Sequence, residues 1–333
     1  MATYKGIKGQ TVSSQASDPS ASAATEGQVW YNTTSGTFKV VLAGGPPVGT
    51  WASGPTMVNT FSQRAGAGIQ TSALAAGGQA ADGSKAETEL YNGTSWAESG
   101  DLTQGSLRHV SGAGASSGAA LTIGGYGTAE PWYVDTVESF NGTSWTAVGS
   151  LNTGRATYMG SAGTQAAAIT MGGNNPAATD LAEIWNGTSW TEVSPINSAR
   201  YQAAGAGITT DAIIFGGGGA PSSQLTEVYN GTSWAEVNDL NTGRQDLGGS
   251  GSSTPSTLAI GGQNGGNRAE TESWNGTSWT EVADLGTAKR EVSAGVYSAN
   301  TASIAFAGYD SGRSNTTEEW SAADYLIKTV TTS

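Results

Sequence analysis

The chain has 333 residues, 50 of them Gly, with 14 Lys and Arg against 27 Asp and Glu for a formal net charge of −13. Twice the usual share of Gly and half the usual share of charged residues describe a turn-rich chain, and its acidity argues against nucleic acid as a partner. Zero Cys removes disulfides and thiolate chemistry, the single His109 rules out a site of three imidazoles, and neither an apolar run of membrane-spanning length nor a secretory core in MATYKGIKGQ is present. No membrane insertion, no classical secretion, no cofactor and no metal are therefore expected.

In chain order, residues 1 to about 27 are small and polar, and SSQASDPSASAATEG reads as an extended linker with no core of its own. Residues 28–42, QVWYNTTSGTFKVVL, read as a hairpin. VGTWASG, with Trp51 45 residues before Trp96, has the position of a fourth strand without the three that should precede it. From about residue 54 the chain repeats itself. The pentapeptide NGTSW occurs five times, its Trp at Trp96, Trp145, Trp190, Trp234 and Trp279, spaced by 49, 45, 44 and 45; SAADY, with Tyr325, is a degraded sixth copy. Each copy follows an apolar run closed by glycine, as in AIIFGG. Between run and pentapeptide an acidic residue precedes an aromatic by two: Glu89, Glu138, Glu183, Glu227, Glu272 and Glu318. An Arg returns once per unit at Arg64, Arg108, Arg155, Arg200, Arg244 and Arg290.

Each unit predicts four short strands. A small-residue segment such as AAGAGI and the unalternating apolar run suit central strands buried on both faces. TEVYN and SWTEV alternate and are joined by Asn-Gly, which predicts a type I′ hairpin with positive φ at both central residues. Four antiparallel strands per roughly 45 residues, unable to bury their faces alone, are the blades of a propeller.

The glycine pair after an apolar strand, the following aromatic, the Trp about six residues on and the recurring Arg resemble the kelch repeat. Six copies imply an all-β, six-bladed kelch-like β-propeller over residues 46–333, preceded by a short extended arm and hairpin over residues 1–45. The near-identical units, YNGTSWAEV beside WNGTSWTEV, also resemble kelch-like proteins of marine bacteriophages, and GQVWYNTTSGTFKV is similar to N-terminal modules of phage tail and fibre proteins. These resemblances imply a virion location, with Tyr4, Trp30, Tyr31 and Phe38 anchoring the arm to other virion proteins and a homo-oligomer within the particle. Two strands compete to complete the last blade: VGTWASG with Trp51, which is favoured, and YLIKTV from Tyr325.

Residues shared by every unit are assigned to the frame. Trp51, Trp96, Trp145, Trp190, Trp234 and Trp279 fill the gaps between blades, and Arg155, Arg200, Arg244 and Arg290, with Arg64 and Arg108, are expected to form buried pairs with the periodic Glu that tie adjacent units. The NGT triplets match the N-glycosylation pattern but sit at the turn the hairpin already demands. Residues that differ between units are the candidates for function, because a frame does not require them. These are Tyr126, Trp132 and Tyr133 in the longest loop, YGTAEPWYVDT, and Arg268, Tyr309, Asp310 and Arg313 in QNGGNRA and YDSGRSN. Aromatics of this kind stack on ligands, a host-surface glycan being the expected one. No catalytic set can be assembled by spacing, and the copper site of galactose oxidase-like kelch enzymes needs His and Cys that this chain lacks. A non-enzymatic tail fibre or adhesin is the leading expectation. A purely structural capsid or tail decoration protein, and a glycan-active enzyme with carboxylates of raised pKa in a central funnel, are the alternatives.

Overall fold

A computed structural model describes residues 12–19, 28–104, 110–128, 130, 132–156, 159–219 and 223–329, with side chains for all of these except 42–48 and 323–329. Tyr4, Arg108 and His109 lie outside the described residues. The chain divides into two compact units, Met1–Val48 with Ala322–Ser333, and Gly49–Ser321.

All regular structure among the described residues is β-strand. The first strands are β1 (Ser13–Gln15), β2 (Val29–Asn32) and β3 (Thr37–Ser53). Five four-stranded sheets follow. They are β4–β7 (Ala65–Ile69, Ser72–Ala80, Gly83–Tyr91, Trp96–Glu98) and β8–β11 (Ser111–Ser116, Ala119–Tyr126, Tyr133–Phe140, Trp145–Ala147). Next come β12–β15 (Gly160–Gly163, Ala168–Met171, Ala182–Trp185, Trp190–Glu192) and β16–β19 (Ala204–Ile208, Asp211–Phe215, Thr226–Tyr229, Trp234–Glu236). The fifth is β20–β23 (Gly248–Ser250, Thr257–Gln263, Asn267–Trp274, Trp279–Val282). Strands β24 (Ser293–Ala294), β25 (Ala302–Phe306) and β26 (Thr317–Thr329) pair in that order, with β3 beside β26. Each sheet of the larger unit is an antiparallel meander, and together they make a propeller-like β fold.

In the smaller unit the predicted hairpin forms, with Val29 opposite Val40 and Tyr31 opposite Phe38. The arm departs from the linker expectation: β1 pairs in parallel with β2, Ser13 opposite Trp30. One acidic residue accounts for this order. Asp18 Oδ1 accepts from the indole of the buried Trp30 at 3.1 Å and also from the Asn32 amide.

The larger unit is built on small inner strands. A Cβ added at Gly66 would stand 2.3 Å from the Ala294 carbonyl oxygen, and one at Gly112 2.3 Å from that of Gly66. Gly205 and Gly249 meet the neighbouring backbone in the same way. The AGAGI wording is thus a close-approach requirement between sheets, not a propensity. Inner strands pack in series, β4 on β8, β8 on β12, β12 on β16, β16 on β20, β20 on β24, and β24 on β4. The second strands, such as β17 (DAIIF), are buried on both faces as their unbroken apolar runs predict.

The hairpin turn is not the type I′ turn predicted. Tyr91 pairs with Trp96 across a four-residue loop in which only Gly93 has positive φ (91°). Asn92 Oδ1 accepts from the backbone N–H of Thr94 and Ser95, both at 2.9 Å, and Asn141, Asn186, Asn230 and Asn275 repeat this. The Asn side chain satisfies two turn amides itself, so its own backbone need not become left-handed.

The frame pairs are real, with two errors of register. Arg155 meets Glu183 at 2.5 Å, Arg244 meets Glu272 at 2.5 Å and Arg200 meets Glu227, all buried. In the first unit the matching position, four residues ahead of the AGAGI strand, is Phe61; Arg64 instead reaches Glu89 (2.5 Å) from the strand edge, its guanidinium over the Phe61 ring. In the last unit Arg290 is not in the frame. Lys289 takes the place, 3.3 Å from Glu318, while Arg290 is about a third exposed and lies over Tyr309. The bridges of Tyr201 to Gly218, Gln245 to Gln263 and Arg290 to Tyr309 fix this register, since each joins the residue after the basic one to the loop beyond the glycine position.

These pairs lie within a unit and do not tie adjacent ones. The second function of each Glu is to hold the incoming linker: Glu227 accepts from the N–H of Asn197 and Ser198, Glu272 from Asn241, Glu89 from Val58. Neighbouring sheets are joined by the indoles. Trp96 donates to Thr317 Oγ1 (2.9 Å), Trp145 to Thr88 (2.8 Å), Trp279 to Thr226 (3.1 Å) and Trp51 to Thr271 (3.0 Å). Each Thr immediately precedes a frame Glu. Where that residue is Ala182, Trp234 turns to the Ser194 carbonyl; where it is Val137, the buried Trp190 N–H has no partner. Trp51 also packs on Trp320, ring centroids 5.5 Å apart, and Gly54 donates to the Thr317 carbonyl. Residues 325–329 are not a separate strand but the continuation of β26.

Candidate functional site

In each sheet the glycine position and the linkers lie at one end of the strands, while the turn from first to second strand and the NGTS turn lie at the other. The loops that differ between units therefore share the glycine end, and two groups of candidate residues fall there on different sheets.

The first group is on β9 and β10. Tyr126 opposes Tyr133 across the pair, and the Gly127 N–H donates to the Trp132 carbonyl to close the loop. Trp132 stacks on Tyr126 at 5.7 Å and 21°, and Tyr133 meets Tyr126 edge-on at 5.5 Å. Trp132 is 38% exposed. An indole held by a second ring, with much of its surface still in water, is a preorganised stacking platform.

The second group spans β21–β22 and the loop between β25 and β26. Arg268 pairs with Glu270 at 3.1 Å, and Arg290 lies 4.3 Å from the Tyr309 ring centroid while donating to Asn267 Oδ1. Asn267 in turn donates to the carbonyls of Tyr309 and Asp310. Partial burial opposes the charge of Asp310, but hydrogen bonds from Ser311 and Gly312 outweigh it and hold the carboxyl below its ordinary range. Its Oδ1 is spent on its own turn, accepting from Ser311 and Gly312, so that oxygen shapes the loop. Arg313 bridges back to Tyr309. The predicted residues of this group fall on neighbouring elements, with Arg268 engaged by Glu270, Tyr309 by Arg290, and the buried Arg313 Nε without a hydrogen-bond partner.

A third place was not predicted. Gln63, Gln202, Asp246 and Glu291 occupy equivalent positions just before the inner strands, each with φ between 55° and 60°. They are joined in series: Asp246 N–H to the Gln202 carbonyl (3.0 Å), Glu291 N–H to the Asp246 carbonyl (2.8 Å), and Gln63 Nε2 to Glu291 Oε1 (3.1 Å). The residues that follow them, Arg64, Ala203, Leu247 and Val292, line a central cavity of about 50 Å³. Burial drives the Asp246 carboxyl up to about 7; the Glu291 charge adds to this, while the amides of Gln263 and Gln202 and the Arg290 charge oppose it. The signal in the sequence was a polar residue two places after the frame cation, in QAAGAG, DLGGSG and EVSAGV.

A wider depression of about 440 Å³ lies at the opposite strand ends, with a largely apolar lining that includes Ile69, Ala115, Tyr297 and Ala302. In the smaller unit Tyr31 and Phe38 form an edge-to-face pair (5.2 Å), each more than a third exposed. Among the described residues no cluster of three or more His, Asp or Glu could hold a metal ion. No family model matches this chain, and no curated protein matches it.

Proposed function

We propose that this chain is a six-bladed kelch-like propeller carried on an N-terminal anchor, a non-enzymatic bacteriophage virion protein of tail-fibre or adhesin type that contacts host-surface glycan through its variable loops. The six-bladed reading is supported by the serial packing of the inner strands, which returns from β24 to β4, and by the Trp51 indole, which takes the same Thr partner position as three other frame Trp. The single observation that carries the function is the Tyr126, Trp132 and Tyr133 platform, with Trp132 38% exposed and not required by the frame. The Tyr31 and Phe38 pair supplies an apolar contact of the kind an anchor needs.

A central active site of the glycan-active kind is disfavoured by size in the small cavity and by chemistry in the wider depression at the opposite strand ends, whose lining has no carboxylate. The cavity of about 50 Å³ is far below the several hundred Å³ that a sugar-sized ligand occupies, and Asp246 is 3% exposed. The test compares the full chain with Trp132→Ala and with a Tyr31→Ala and Phe38→Ala double variant, on a glycan array and on particles lacking the protein. The proposal expects Trp132→Ala to lose glycan binding while still joining particles, and the double variant to do the reverse. Absence of glycan binding by the parent chain, with particle binding intact, would replace it with the decoration role.

A further inference from the structure

The loop end of the last unit carries a row of side chains that the frame does not ask for. Arg290 and Tyr309 exchange both backbone hydrogen bonds, the Arg290 N–H reaching the Tyr309 carbonyl at 3.0 Å and the Tyr309 N–H reaching the Arg290 carbonyl at 2.8 Å. Tyr309 in turn opposes Arg313 in a pair flanked by two bonds, Asp310 N–H to the Gly312 carbonyl and Ser314 N–H to the Gly308 carbonyl, both at 2.9 Å. Residues directly opposite in an antiparallel ladder send their side chains to one face, and those in a pair of this second, non-hydrogen-bonded kind stand closest. Arg290, Tyr309 and Arg313 therefore share a face, the phenol between two guanidinium groups, and the Arg290 guanidinium lies 4.3 Å from the Tyr309 ring centroid. The third unit forms the same row with Ala156, Asn174 and Ala178, so the backbone arrangement needs neither cations nor an aromatic ring.

The donors of this row are largely unspent. Arg290 gives one N–H to Asn267 Oδ1 and keeps 31% of its side chain exposed. Arg313 is half-buried, forms no ion pair with a described residue, and its buried Nε has no hydrogen-bond partner. The carboxylates nearby are engaged elsewhere: Glu291 takes the Gln63 amide and comes only within 4.0 Å of Arg290, Glu270 holds Arg268, and Asp310 Oδ1 accepts from its own turn. Asn267 pins the loop by donating to the carbonyls of Tyr309 and Asp310, at 3.0 and 2.6 Å, so the row is preformed. We infer that Arg290, Tyr309 and Arg313 bind the anionic group, carboxylate or sulfate, of an acidic sugar. A guanidinium presents parallel N–H donors that match an oxyanion bidentately, and the Tyr309 hydroxyl adds a further donor beside an apolar ring. That the anion is carried on a glycan rests on the function proposed above; that the site takes an anion rests on these side chains alone.

The test places the full chain on a glycan array of uronic-acid, sulfated and neutral sugars, among them oligogalacturonate and its methyl ester, which keeps the sugar backbone without the charge. The inference expects acidic sugars to be bound at least about tenfold more tightly than their uncharged counterparts. Preference for carboxylate or for sulfate each supports the site and identifies the anion. Arg290→Gln and Arg313→Gln should each weaken that binding at least about tenfold, and Arg313→Lys should weaken it too, because an ammonium keeps the charge but not the fork. Each variant should keep its Tm within about 2 °C of the parent, since Ala156 and Ala178 hold the equivalent places in the third unit. Near-UV circular dichroism checks folding, and if one Arg variant does not fold, the other carries the test. Equal binding of acidic and neutral sugars, or Arg variants that bind acidic sugars as the parent does, overturns the inference and leaves the glycan-binding function standing. A parent chain that binds no glycan of either kind overturns both.

Discussion

Isosteric exchange of Thr226 for Val tests whether indole to Thr bonds join the sheets. The Trp279 N–H donates to Thr226 Oγ1 at 3.1 Å, with Trp279 5% exposed and Thr226 fully buried. Val keeps the shape and removes the acceptor, leaving a buried donor unpaired at a cost of about 1–3 kcal/mol. A cooperative unit of this size shifts its Tm by about 2 °C per kcal/mol, so Thr226→Val should lower Tm by roughly 2–6 °C. The reverse exchange is the sharper half. Val137 occupies the same position in β10, is fully buried, and leaves the Trp190 N–H without a partner. Val→Thr in a core ordinarily destabilises, because the hydroxyl is stranded. Here the hydroxyl meets a waiting donor, and Val137→Thr should be neutral or stabilising by up to about 1 kcal/mol. Paired thermal and urea unfolding of the two variants measures both signs. A Thr226→Val variant as stable as the parent, together with a destabilised Val137→Thr, would refute the assignment.

Glu227→Gln should cost about 3–5 kcal/mol in urea unfolding, since it strands the buried Arg200 charge. Trp51→Ala should cost about 2–4 kcal/mol, losing its packing on Trp320 and its bond to Thr271; an unchanged midpoint would remove Trp51 from the frame. Asp246 makes stability depend on pH in a definite direction. Its folded-state pKa, about 7, is above the ordinary value of 3.8, so its favourable contribution is complete below about pH 3.8, is lost as pH rises to about 7, and is absent above. Asp246→Asn should therefore unfold at a higher temperature than the parent at pH 8, with the difference shrinking toward pH 4.

The repeat made most of the fold legible. NGTSW and the glycine pair in five units, and the periodic Glu in all six, are each required by a backbone position or a buried partner, and a requirement met repeatedly leaves a visible period. Positions met by more than one residue were less legible. The frame cation can be Arg200 or Lys289, and in the first unit it is delivered by Arg64 from three residues further along. Following Arg alone therefore slid to Arg290, one place past Lys289, because AKREVSAGV offers two adjacent cations and only the bridge to Tyr309 distinguishes them.

The same physics explains why Asp246, Glu291 and Gln63 were invisible while Trp132 was not. Trp132 stood out because a large aromatic in a loop has no frame role. Asp246, Glu291 and Gln63 stand at a position that every unit must fill, so they looked like part of the frame. Their common demand is on the backbone, a left-handed conformation near φ 55–60°, which Gln, Asp and Glu all meet without leaving one letter in common. Side-chain chemistry is then free to vary within a fixed geometry. Two of the four described positions carry carboxylates, and these two are successive in the series, bonded directly through backbone. A frame that sets only the backbone at a position leaves the side-chain chemistry there free to vary without disturbing the repeat.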